Sequence, residues 1–82
     1  MTIKPVSAHD EVYDFLTSQP TPEQIISFHP SHEAEERLHY LLDVNRNDRL
    51  TKEEQIELDE YLRLEHFVRM VKIKAREKLA QR

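Results

Sequence analysis

The sequence predicts an all-α protein: two short N-terminal helices, then a helical hairpin with a long C-terminal helix, the whole completed by dimerisation. Three observations carry this. Glycine is absent from all 82 residues, which removes most tight β-hairpins. Helix-start signals recur four times, at Ser7, Thr21, Ser31 and Thr51. Apolar residues in the last third recur at three/four spacing.

The first helix is expected over Ala8–Ser18. Ser7 stands at its N-cap with Asp10 three residues on, Val12, Phe15 and Leu16 share one face, and Pro20 closes it. Thr21-Pro22-Glu23-Gln24 opens the second: a capping hydroxyl, a proline at the first helical position and a glutamine that closes the capping box. Phe28-His29-Pro30 stops it early, because the residue before a proline is pushed out of the helical region. Ser31 caps the third helix, whose first turns carry Glu33, Glu35 and Glu36 at the positive dipole end and which runs through Leu38, Leu41 and Leu42 to about Val44. Asn45-Arg46-Asn47-Asp48-Arg49 is a polar turn in which Asn or Asp takes the left-handed conformation that glycine otherwise supplies. Thr51-Lys52-Glu53-Glu54 is a second capping box, and no proline follows it.

The helix it opens, Lys52 to about Lys78, would span about 40 Å, whereas a compact domain of this length is about 30 Å across. Leu58, Tyr61, Leu64, Val68, Val71, Ala75 and Leu79 form one stripe, and Phe67, Met70 and Ile73 lie well off it. A short hairpin cannot cover both, so a second subunit is expected. Residues 1–82 make a single domain, with a basic C-terminal helix end at 69–82. Residues 69–82 hold six basic side chains against Glu77, and the other 68 hold six basic and fifteen acidic ones. An acidic body with a basic tail suits an anionic partner, or one subunit's tail on another's body; lysines and arginines that merely complement the negative helix end would read the same way.

Composition removes several classes of function. No cysteine means no disulfide scaffold, thiolate zinc site or cysteine nucleophile, and no glycine means no phosphate-cradling loop. No apolar run reaches membrane-spanning length and Met1–Ser7 lacks a secretory stretch, so a cytoplasmic protein without membrane contact is expected. Ser7, Ser18, Ser27 and Ser31 sit at helix ends or in short helices with no base beside them, and enzymatic function is not expected.

Pro30-Ser31-His32-Glu33-Ala34-Glu35-Glu36-Arg37-Leu38, Leu50-Thr51-Lys52-Glu53-Glu54-Gln55 with Glu57-Leu58, and Leu64-Glu65-His66-Phe67-Val68-Arg69 together show a family likeness. This segment set, from about Thr21 to Ala75, resembles small uncharacterised bacterial all-helical proteins that share "PSEAxxER…LTPEEQxEL…LEHLxRLxKARA". Such proteins are often encoded beside small nucleases or toxin-like genes, and the resemblance implies an antitoxin-like or accessory role. Lys52 stands where the group has proline, and Asn45–Asp48 where it tends to carry glycine.

Two constellations suggest metal chemistry. Asp43, Asn45, Asn47 and Glu54 fall at calcium-loop positions 1, 3, 5 and 12 between two helices. Against that, position 6 is Asp48 instead of glycine, and Arg46 and Arg49 bring positive charge; Leu50 as a turn anchor and Thr51 with Glu54 as caps explain the same letters. Glu36-Arg37-Leu38-His39 has the Glu-x-x-His spacing of di-iron bundles, which needs a second copy and two more carboxylates, with Glu60 or Glu65 as candidates. His39 is expected to flank the core, His66 to be partly buried, and His32 to pair with Glu36. No metal or cofactor is expected.

The expected function is therefore protein–protein interaction, as a homo-oligomer or as a heteromer with a toxin or nuclease. Tyr61, Leu64, Phe67, Val68, Met70 and Val71 are the expected apolar contacts, and Arg69, Lys72 and Arg76 the electrostatic ones. The alternative is a nucleic-acid-binding protein using the basic C-terminal helix, without a recognition helix and against a net charge of -4.

Overall fold

The computed structural model describes residues 8–81, which form four helices: α1 (Ala8–Thr17), α2 (Pro22–Ser27), α3 (His32–Arg46) and α4 (Lys52–Ala80). The expected all-α architecture with a helical hairpin and a long C-terminal arm is what the chain adopts. The expected Ser7 cap lies outside the described residues.

Local chemistry accounts for the boundaries. At α2, the Thr21 hydroxyl accepts from the Gln24 backbone N–H (3.2 Å) while Gln24 Oε1 accepts from the Thr21 N–H (2.9 Å), with Pro22 in the first turn. Thr51 and Glu54 repeat that box at α4, at 3.1 and 3.0 Å. Ser31 Oγ accepts from the Ala34 N–H at 3.2 Å and starts α3. The α3–α4 turn places Asp48 at φ 54°, so an aspartate fills the left-handed position. Gln19, at φ 58°, does the same between α1 and α2 without any sequence signal. α3 continues two residues past Val44 and α4 two past Lys78, because no proline or glycine halts either one.

Every other helix packs on α4, α2 most extensively. The fold is flat and long: extents of 48 × 33 × 17 Å and a radius of gyration of 14.9 Å, against about 12 Å for a compact chain of this length. α4 runs unbroken for 29 residues, about 43 Å, nearly the whole long axis. The buried residues are Ala8, Val12, Ala34, Leu41, Leu58 and Ala75. Half of them are alanines, so little apolar volume is enclosed. The α4 stripe is oriented as its spacing predicts: Leu58 and Ala75 are buried, and Tyr61, Leu64, Val68, Val71 and Leu79 half-buried.

Contacts between elements complete the body. Arg37 of α3 donates to both oxygens of Glu57 of α4, Nε to Oε2 and Nη2 to Oε1, each at 2.8 Å, and lies 5.1 Å over the Tyr40 ring. Phe15 of α1 stacks on Phe28 beyond α2, centroids 4.4 Å apart. Glu11 of α1 accepts from both the Ser31 N–H (2.8 Å) and the Ser31 hydroxyl (2.6 Å), setting a carboxylate at the N-terminus of α3. Among the described residues no helix is long and apolar enough to cross a membrane.

Candidate functional site

The main concavity is a groove of about 320 Å³ between α4, the start of α1 and the segment from Phe28 into α3. Its floor is Ala8, Val12, Ala34, Leu38, Leu64 and Val68, an apolar lining that small side chains leave unfilled. Its α4 wall ends in Arg69, Lys72 and Arg76, spaced three and four apart and so on one side of the helix. Glu65 stands one turn before Arg69 on the same side of α4, and Glu35 stands on α3. Among the described residues, the ion pairs use none of those three cations. Tyr61 closes the wall towards the α3–α4 turn. Its burial, with a smaller contribution from the Glu57 carboxylate, pushes the phenol above its ordinary pKa and keeps it neutral.

The expected contact residues divide among three places. Tyr61, Leu64, Val68, Arg69, Lys72 and Arg76 all line the groove. Val71, half-buried, packs into the seam with Leu16 and Ile25, where the residual space is about 10 Å³. Phe67 touches that seam but is 47% exposed, and Met70 is 45% exposed on the outer side of α4. The stripe spacing puts Tyr61, Leu64 and Val68 on one side of α4, but that they wall a groove is not read from it. The opposite wall (Phe28, His29, Pro30, Ala34, Glu35) was legible only as helix punctuation, because its pairing with α4 is a long-range contact.

Of the calcium-loop candidates, Asp43, Asn47 and Glu54 are drawn into local bonds, and Asn45 is exposed. Asp43 Oδ1 pairs with Arg46 at 3.2 Å, Asn47 Nδ2 donates to the Asp43 carbonyl at 3.1 Å, and Glu54 caps α4. The Thr51 backbone N–H chiefly holds the Glu54 carboxyl below its ordinary pKa, with the Thr51 and Tyr40 hydroxyls and the Arg37 charge acting in the same sense. Glu36 pairs with His32 at 2.6 Å, as expected for an i, i+4 pair. His39 and His66 are exposed, correcting the expectations that His39 flanks the core and that His66 is partly buried, because each lies off the buried stripe of its helix. Among the described residues no group of three or more His, Cys, Asp or Glu side chains is placed to hold a metal ion. Among the described residues the serine hydroxyls are engaged within the fold: Ser18 donates to the Phe15 carbonyl (2.5 Å), Ser27 to that of Glu23 (3.1 Å), and Ser31 to Glu11.

No family model, curated protein or solved structure matches this chain.

Proposed function

We propose that this protein is a protein–protein interaction module that seats an apolar segment of a partner, flanked by carboxylates, in the groove beside α4. The observation that carries the reading is the apolar floor set next to Arg69, Lys72 and Arg76, three cations outside the ion pairs of the described residues. Apolar area supplies affinity, and the cations favour an acidic flank and speed encounter. The resemblance supplies a toxin or small nuclease as the class of partner and an antitoxin-like or accessory role.

The test is capture from the native host with the full chain, followed by reconstitution of the captured protein with the purified module. We expect a stoichiometric complex that Leu64→Glu abolishes and Arg69→Glu/Arg76→Glu weakens by about tenfold or more at low salt. Equal binding by Leu64→Glu refutes the groove. The same cations favour the second reading, nucleic acid; capture that nuclease treatment removes would support it in place of the first.

A further inference from the structure

The geometry points to a second copy of this chain as the occupant of the outer side of α4, docked antiparallel about a twofold axis at Met70. Met70 and Ile73 are 45% and 39% exposed on that side, Phe67, 47% exposed, stands on its flank beside the seam with α1 and α2, and the three follow one another at intervals of three. The trio is symmetric about its centre. Seven residues from Met70 in either direction, two helical turns away, stand Arg63 and Glu77, which carry opposite charges. A twofold interface demands this pattern, because residue i must suit residue j and j must suit i.

In the antiparallel register Met70 meets its own copy, Phe67 covers Ile73 of the second chain, and Arg63 faces Glu77 twice over. Glu77 now bonds Lys74 at 3.3 Å within the chain, so each carboxylate would sit between two cations. His66 and Lys74, one turn either side of Met70, also face each other. About this axis residues 60–80 of the two α4 helices overlap, and antiparallel docking opposes the helix dipoles, whereas parallel docking sets Arg63 on Arg63 and the basic ends side by side. The surface is distinct from the groove, so the two assignments fail separately.

Sedimentation equilibrium of the full chain is expected to show a concentration-dependent species of twice 9.9 kDa. Met70→Lys should weaken it about a hundredfold with the helical circular dichroism unchanged. Arg63→Glu and Glu77→Arg should each weaken it about tenfold, and combining them should restore it. The chain has no cysteine, so Met70→Cys should cross-link to itself on oxidation while Ile56→Cys, fourteen residues or about 21 Å along the helix from the axis, should not. A monomer at every concentration, a dimer indifferent to Met70→Lys, charge reversals that add instead of cancelling, or equal cross-linking at positions 56 and 70 would each overturn the assignment.

Discussion

The two ends of the α3–α4 hairpin are closed by different materials. Near the turn, Leu41 and Leu58 are buried to 0% and 2%, and the Arg37–Glu57 fork clips the helices just beyond them. At the far end the buried residues are Val12 and three alanines, Ala8, Ala34 and Ala75, and a polar pair, Glu11 with Ser31, joins α1 to α3. Leucines fill the space between two helices; alanines bring backbones into contact but leave volume wherever helices diverge. The groove opens where the alanines are, beside the basic end of α4. A closed leucine pair therefore marks one end of the hairpin and an open apolar groove with a basic wall the other.

Leu41→Ala attacks the closed end directly and should have the largest effect. A cavity at a fully buried leucine costs about 2–5 kcal/mol, a large share of the stability of so small a domain. Urea unfolding checks it, and a loss below about 1 kcal/mol would mean that the turn end is not the stable one. Next comes the open end. Glu11→Gln keeps one acceptor but removes the charge from the α3 N-terminus, and should cost about 1 kcal/mol. Hydrogen exchange should locate that loss in α1 and the start of α3, leaving Leu41 and Leu58 protected. The smallest effect returns to the turn. Because folding lowers the Glu54 pKa, its contribution is present above the ordinary carboxylate value and is lost as pH falls through the lower, folded one. Glu54→Gln, which retains the capping box, should therefore flatten the acid side of the stability–pH profile and slightly lower neutral stability, where the carboxylate contributes. An unaltered profile would exclude Glu54 as the group that titrates there.

Much of this was legible before any coordinates, and the legible part is local. The capping boxes of Thr21 and Thr51, the Ser31 cap and the stop at Phe28-His29-Pro30 act within four residues, so spacing alone reveals them. The stripe from Leu58 to Leu79 is read from helical period, and its burial follows. Glu11 was not legible. It is an ordinary acidic residue in a first turn until folding brings Ser31, twenty positions away, against it. Likewise Pro30 and Ala34 show no sign in sequence of becoming a groove wall.

The chain by itself determined four helices, the left-handed Asp48 turn and an α4 too long to be enclosed by the other three, because each depends on neighbours one or two helical turns apart. Tertiary structure decided which residues share a surface. It set six of the expected contacts in the groove, took Val71 into a packed seam and left Met70 outside. The physical reason is that helical period fixes the angle of a side chain about its own axis, whereas what lies opposite that side chain depends on how separate helices pack.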